Sequence, residues 1–390
     1  MQAFKGVDYM EFDALLSEEE LMVRRMVRRF VDEQVKPVIE DHHRRGEFPR
    51  ELISTMGDLE LLGPNLAGYG LPGMSNVVYG LIMQELERGD SAVRSFASVQ
   101  GSLVMYPIHA FGSEEQKKQW LPPLGRGEKV GCYGLTEPDF GSNPGGMTTR
   151  ARRDGDRFVL NGAKMWITNG TQAEVAVVFA KLDGEVNGFL VEKGTPGFQA
   201  EKIQGKFSLR ASDTASLYLD ECAVPLANRL PGARGLKTAL MCLNQARYGI
   251  AWGAIGAAME CYHTALEYAR ERIQFNDRPI AGHQLVQEKL VWMITEITKA
   301  QFMTLHAGRL KDDDRLKFYH VSLLKRNNVD MALQCARLAR DILGAAGIVD
   351  DHPVIRHMLN LESVRTYEGT HDIHTLIVGE QITGWPAYGA

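Results

Sequence analysis

The sequence predicts a multi-domain α plus β fold. It divides into an N-terminal α-helical domain over residues 1–129, a middle β-barrel or sandwich domain over 130–235, and a C-terminal four-helix bundle over 236–390. Three observations carry this. The chain has 390 residues, more than one hydrophobic core usually serves. Near Gly131 the apolar pattern changes from helical recurrence to short runs between turn residues. After Gly235 helical recurrence returns in long segments rich in small residues.

In the first third, Ser17 and Glu20 form a capping box, and Met22, Val23, Met26, Val27, Phe30 and Val31 follow at helical spacing until Pro37 disturbs the pattern. A second helical pattern carries Val78, Leu81, Ile82 and Leu86, with charged residues from Glu85 to Arg88. A third opens with the capping box Ser113 to Gln116 and ends near Pro122-Pro123. Gly68-Tyr69-Gly70-Leu71-Pro72-Gly73 matches GxGxxG, but it lacks the preceding strand and the later acidic residue of a dinucleotide site, so it reads as a loop.

In the middle, Asp154-Gly155-Asp156 and Asn161-Gly162 read as hairpin turns. Runs at Phe158–Leu160, Val175–Phe179, Gly188–Val191 and Ser216–Leu219 read as strands, and Leu230-Pro231-Gly232-Ala233-Arg234-Gly235 as a linker. Helical patterns then run from Leu236 to about Arg272, from about Gln284 to Leu310, from Phe318 to Leu343, and from Thr370. Gly249, Gly253 and Gly256 in the first of these allow close helix approach.

Composition narrows the function. Net charge is −5, and no basic block is long enough to track a nucleic-acid backbone. His42-His43-Arg44-Arg45 and Asp312-Asp313-Asp314 read as a solvated helix end and a solvated turn. No apolar run is long enough for a bilayer, and the N-terminal stretch does not read as a secretory signal. Five scattered cysteines without CxxC argue for a reducing compartment, against a disulfide framework and against zinc. A bacterial cytoplasm fits, as does a mitochondrial matrix after transit-peptide removal. His371 and His374 stand at i, i+3, but no third metal ligand is evident.

The stretch Thr366-Tyr367-Glu368-Gly369-Thr370-His371-Asp372 concentrates the chemistry. Gly369 breaks regular structure and permits close approach to a ligand. Thr370 can cap the next helix, and Asp372 suits its positive first turn. Glu368 is thereby held at a helix junction, where a base could point into a cavity. Taken alone, the stretch reads as a surface glutamate in a helix–helix connection.

Three further motifs lie upstream: Tyr133-Gly134-Leu135-Thr136-Glu137-Pro138-Asp139-Phe140-Gly141-Ser142, Lys164-Met165-Trp166-Ile167-Thr168-Asn169, and Arg272-Ile273-Gln274-Phe275 with Gln284 after it. With the order helical, β, helical, these motifs and the Tyr367-Glu368-Gly369-Thr370 run resemble the acyl-CoA dehydrogenase family over nearly the whole chain. The resemblance implies FAD as cofactor and Glu368 as the base that removes a thioester α-proton. Tyr133, Leu135, Thr136, Ile167 and Thr168 would line the flavin, with Trp166 covering a ring face or serving as a core aromatic. Ser142 would reach a phosphate of the ligand or the flavin pyrophosphate. Arg272, with Phe275 and Gln284, would serve a neighbouring subunit's FAD, implying a homotetramer. Asp341, Leu343 and Gly344 stand where the family has a glycine pair, with Ala345 replacing the second glycine. Thr370 and Asp372 are assigned to the same cofactor.

Within the family, the resemblance points to the branch that oxidises and decarboxylates glutaryl-CoA and passes electrons to electron-transfer flavoprotein. Its marks are Glu87-Arg88-Gly89-Asp90-Ser91-Ala92-Val93-Arg94-Ser95, Asn244 to Arg247, and Tyr367 before the base. From this segment alone Arg94 reads as a surface arginine at a helix end; in the wider context, a monocarboxylic acyl chain gives it nothing to bind, whereas a distal carboxylate does. On this resemblance Arg94 and Ser95 hold that carboxylate, Glu87 sets the local charge, Asn244 and Arg247 contact the CoA portion, and Tyr367 and Gly369 line the acyl site. Val93 and Asn143 depart from the common family forms. Alternatives are a non-decarboxylating or short-chain member, and a non-catalytic helical acyl-CoA-binding or scaffold protein.

Overall fold

The computed structural model describes residues 4–387. The N-terminal part contains α1 (Glu18–Phe30), α2 (Lys36–Arg45), α3 (Leu52–Asp58), a small ribbon β1 (Ala67–Gly68) and β2 (Leu71–Pro72), α4 (Asn76–Gly89), α5 (Ser91–Ser98), α6 (Tyr106–Phe111) and α7 (Glu114–Gly125). The capping boxes at Ser17 and Ser113 form as expected. Pro37 does not end a helix: helical backbone continues from α1 through a π-helical turn, Val31–Val35, into α2, and that wider turn lies just before Pro37. Likewise α7 runs through Pro122 and Pro123 to Gly125. The GxGxxG stretch is the β1–β2 ribbon and its flanks, not a helix start.

The middle region contains β3 (Gly131–Gly134), β4 (Arg150–Asp154), β5 (Arg157–Thr168), β6 (Val175–Leu182), β7 (Glu185–Glu192), β8 (Phe198–Lys202), β9 (Thr214–Pro225) and β10 (Arg229–Arg234). They form one eight-stranded mixed sheet in the order β10-β7-β6-β4-β5-β9-β8, with β3 beside β6. Both faces of β6 are buried: Val175, Val177 and Phe179 face the helices, while Ala176, Val178 and Ala180 enter the sheet's own core. Gly155 makes the expected β4–β5 hairpin. Two expectations fail. Asn161-Gly162 is no turn: it lies inside β5 at a bulge, where Gly162 has φ 148° and a Cβ would meet Thr149 Oγ1 at 2.4 Å. Residues 230–235 are no linker: Pro231 and Gly232 sit in an irregular stretch of edge strand β10, where a missing N–H is tolerated.

The C-terminal part contains α8 (Leu236–Glu271), the ribbon β11 (Ile273–Gln274) and β12 (Arg278–Pro279), α9 (Gln284–Asp312), α10 (Phe318–Leu343), α11 (Val354–Thr366) and α12 (His371–Thr383). Buried ion pairs join α4 and α5 to this bundle: Arg88 Nη1 to Glu260 Oε2 (3.1 Å) and Arg356 Nε to Asp90 Oδ2 (2.9 Å). Asp312, Asp313 and Asp314 are exposed at the end of α9, as expected, and Asp312 also accepts from the Asn76 backbone N–H (2.6 Å) at the start of α4. The solvated helix end is only partly so, because His43 is buried.

The glycines of α8 set the distance to α4. A Cβ would meet Tyr79 Oη at 2.5 Å from Gly249, Glu87 Oε2 at 2.0 Å from Gly253, and the Gln84 carbonyl oxygen at 1.8 Å from Gly256. An exposed helical Gly→Ala change stabilises by about 1 kcal/mol. Gly256→Ala is expected to do the opposite, destabilising by about 3 kcal/mol, because it presses on backbone that cannot rotate away. Thermal melting of the purified protein checks this; an unchanged or raised midpoint contradicts it.

Candidate active site

Between α11 and α12 the chain turns sharply. Glu368 has φ 53° and Gly369 φ 94°, both in the left-handed region. That region costs a side-chain-bearing residue about 1 kcal/mol or more and persists where surroundings enforce it. Gly369 has no substitute, since a Cβ would meet His374 Nε2 at 2.8 Å. Thr370 caps α12, its side chain accepting from the Ile373 N–H at 3.2 Å, and Asp372 lies exposed in the first turn. Buried cations hold three consecutive carbonyls. Lys325 Nζ donates to those of Tyr367 and Gly369, both at 2.6 Å, and Arg247 Nε donates to that of Glu368 at 2.7 Å.

Glu368 as a residue is half-buried, but its Oε2 is shut off from solvent without a hydrogen-bond partner. Burial raises its pKa, and Arg94, Lys325 and Arg247 only partly oppose this. Burial lowers Lys325 against the opposing pull of Glu368. His374, whose ring packs against Gly369, is pushed down to about 2 by burial and then by Lys325, so it stays neutral.

Arg94 rises into the same space from α5. It is fully buried, its Nε donating to Glu87 Oε2 at 2.6 Å and its Nη2 to the Tyr367 hydroxyl. Burial works against its charge, but Glu87 and then Tyr367 outweigh it and hold the pKa above the ordinary arginine value. Glu87, at the end of α4, also accepts from Ser91 Oγ at 2.8 Å. Asp90 caps α5 and is itself gripped by Arg356 and Asn360, which fixes the helix carrying Arg94 and the buried Ser95. Asn244 lies one turn before Arg247 on α8 and accepts from it at 3.4 Å. Arg247, expected toward a CoA moiety, has its Nε on the Glu368 carbonyl.

A shelf on the sheet faces this junction. Tyr133 and Leu135 pack in one core with Ala239, Cys242 and Ala246, just ahead of Arg247 on α8. Tyr133's side chain belongs to that core, its hydroxyl donating to the Ala239 carbonyl at 3.1 Å, yet it feels the charges of Glu368 and Arg247. Buried Lys164 ties the loop after β3 to β5, donating to the Leu135 carbonyl (3.0 Å) and Glu137 Oε1 (2.9 Å). The Met165 N–H adds a bond to the Thr136 carbonyl at 2.9 Å. A register shift in β5 between Lys164 and Ile167 throws Trp166 outward, 56% exposed at φ 65°. Thr136 and Thr168 are half-buried beside it, Ile167 points into the core, and Ser142 is exposed. An outward aromatic in strained backbone, flanked by hydroxyls and amides, fits a planar heterocycle such as a flavin ring.

The remaining predicted residues stand elsewhere. Arg272 is 25 positions beyond Arg247 along α8, about 37 Å at 1.5 Å per residue. Phe275, 78% exposed, and Gln284 follow it. Asp341, near the end of α10, pairs with Lys289 of α9 at 3.5 Å; Leu343 packs in the bundle core, and Gly344 has φ 59°. Within one chain Arg272 therefore lies far from the junction that Arg247 holds. Lys325, Lys164 and Glu137 escaped the sequence reading as functional residues. Lys325 carried a signal: it occupies the apolar face of α10, with Val321 and Val329 one turn to either side.

Comparison with known proteins agrees with this architecture. Residues 17–128, 132–222 and 233–383 match the N-terminal, middle and C-terminal domain models of acyl-CoA dehydrogenase. The crystal structure of glutaryl-CoA dehydrogenase from Mycobacterium smegmatis superposes with TM-score 0.97 at 53% identity, over 99% of this chain and 100% of that one. A glutaryl-CoA dehydrogenase from the same organism, in complex with FADH2, gives TM-score 0.97 at 48% identity with the same coverage. The mitochondrial short-chain specific acyl-CoA dehydrogenase of Rattus norvegicus is 35% identical over 374 residues, 93% of this chain and 90% of its own length. With all three domain models matched in order along the chain, the chain belongs to the acyl-CoA dehydrogenase family.

Proposed function

We propose that this protein is an FAD-dependent dehydrogenase that oxidises glutaryl-CoA and decarboxylates the product to crotonyl-CoA and CO2. The observation that carries the diacid specificity is Arg94, buried beside Glu368 and oriented by Glu87 and Tyr367. Counted as ions, Arg94, Arg247 and Lys325 against Glu87 and Glu368 give a net +1. If Lys325 passes its proton to Glu368, the sum of the five is still +1. One distal carboxylate neutralises the cluster, whereas a monocarboxylic acyl chain leaves it charged in a low-dielectric space.

Leu135, Thr136, Trp166 and Thr168 would hold the flavin ring on the shelf, with Ser142 at a phosphate of the ligand. A flavin bound there would supply the oxidant for the β-hydrogen and its electron pair. Glu368 removes the α-proton, and burial suits it to do so by raising its proton affinity. Arg94 holds the distal carboxylate so that α and β carbons face base and shelf. When that carboxylate departs as CO2, its bonding electrons pass to the carbon chain, and Glu368, now protonated, returns a proton to it. Tyr367 lies beside the departing group through its bond to Arg94.

We further propose that Arg272, Phe275, Gln284, Asp341 and Gly344 serve a neighbouring subunit's cofactor in a homotetramer, and the separation of Arg272 from the junction of its own chain supports this. Electron-transfer flavoprotein reoxidises the enzyme on this reading. Anaerobic mixing of the flavin-loaded protein with glutaryl-CoA should bleach the flavin and release one CO2 per turnover. Bleaching by butyryl-CoA with no CO2 from glutaryl-CoA would instead support a short-chain member. A protein that takes up no flavin would support a scaffold.

A further inference from the structure

Lys325 is a buried lysine on α10 to which neither the motifs nor the proposed reaction assigns a task. Its ammonium donates at 2.6 Å to the carbonyls of Tyr367 and of Gly369, the residues on either side of Glu368. The peptides here are trans, so C=O and N–H point to opposite sides. Aiming the Tyr367 carbonyl at α10 therefore aims the Glu368 N–H away from it. The Arg247 grip on the Glu368 carbonyl does the same for the Gly369 N–H. An unaided glutamate at φ 53° would relax toward ordinary backbone, and both N–H groups would swing with it.

We infer that Lys325 is a positioning residue for the base: clipped to both neighbouring carbonyls, it fixes the peptide that presents the Glu368 N–H and keeps a positive charge behind the Glu368 carboxylate. This rests on the reading of Glu368 as the base. The N–H so fixed is a donor suited to a thioester oxygen that gains negative charge as the α-proton leaves. The charge acts on the carboxylate directly. Groups facing the pair are Tyr79 from α4, Arg94 from α5, Tyr133 from β3, Arg247 from α8, Tyr367 and Glu368 from the junction, and His374 from α12. Of these, Arg94, Arg247 and Lys325 oppose protonation of Glu368, so losing Lys325 lets its proton affinity rise further.

The test uses flavin-loaded protein with Lys325→Met, which removes donor and charge, Lys325→Gln, which keeps an amide donor only, and Lys325→Arg, which keeps the charge. Rapid-mixing measurement of flavin bleaching by glutaryl-CoA across pH gives the maximal rate, the substrate Kd and the acid limb. For Lys325→Met the maximal rate should fall about 100-fold with Kd changed less than about threefold, and the acid limb should move up by about one pH unit. Lys325→Gln should show the same upward limb shift with a smaller rate loss, and Lys325→Arg should leave the limb in place. A Lys325→Met rate within threefold of the unmodified protein overturns the inference. So does a slow variant whose limb has not moved, since a merely structural lysine behaves that way. Should Lys325→Met fail to hold flavin, Lys325→Gln decides: an unmoved limb overturns the inference. Failure of the underlying reading looks different, because then no acyl-CoA bleaches the unmodified protein. Failure of this inference alone leaves that bleaching intact and Glu368→Gln inactive.

Discussion

Glu368→Gln is expected to keep its flavin and to lose about 10³-fold or more of the rate at which glutaryl-CoA bleaches it. The substitution is nearly isosteric, and the junction carbonyls stay gripped by Lys325 and Arg247, so the loop has no reason to move. What disappears is the carboxylate that the proposed reaction uses to accept the α-proton. The pH dependence of the unmodified protein follows from the sign of the shift. The base must be ionised to act, and burial raises its pKa above the ordinary glutamate value of 4.5. Bleaching should therefore fail as pH drops through that raised value, at a pH where an exposed glutamate would still be charged. The amide variant should have no acid limb of this origin. Rapid mixing over a pH series checks both points, and a fully active Glu368→Gln protein removes the assignment.

Much of this was legible in the sequence because its chemistry sits in contiguous runs. Tyr367 through Asp372 announce a helix break, a cap and a carboxylate within six positions, and the structure builds that junction. The pairing of Arg94 with Tyr367, 273 positions away, is invisible to spacing. So is the task of Lys325, although its place between Val321 and Val329 on the apolar face of α10 marks it as buried. Its two partners are backbone carbonyls, which leave no trace in residue type. Asn161-Gly162 misled for a related reason. The same glycine that makes a tight turn also lets β5 bulge around Thr149, and only the pairing partner decides which. Pro231-Gly232 was misread because an edge strand needs only half its hydrogen bonds, so composition that would break an inner strand is tolerated there.

For Arg94→Gln, kcat/KM should fall about 10³-fold with glutaryl-CoA and no more than about tenfold with butyryl-CoA. Removing one partner of a buried, hydrogen-bonded charge pair costs about 3–5 kcal/mol, near the free energy of a thousandfold loss. The diacid bears that cost because its carboxylate loses a cation and meets the uncompensated Glu87, which is fully buried. The monoacid loses only packing. Part of the effect could come from damage to the fold, since Glu87 is left without its 2.6 Å partner, and a second variant separates the two. Glu87→Gln with Arg94→Gln removes both charges, so thermal stability should recover. The net charge of the cluster also returns to +1, supplied now by Arg247 with the Lys325–Glu368 pair. If overall charge alone selected the substrate, glutaryl-CoA turnover would recover with it. If the planar guanidinium held between Glu87 and Tyr367 does the selecting, stability returns and the diacid preference does not. Equal losses for the two substrates in Arg94→Gln would take Arg94 out of the carboxylate role altogether.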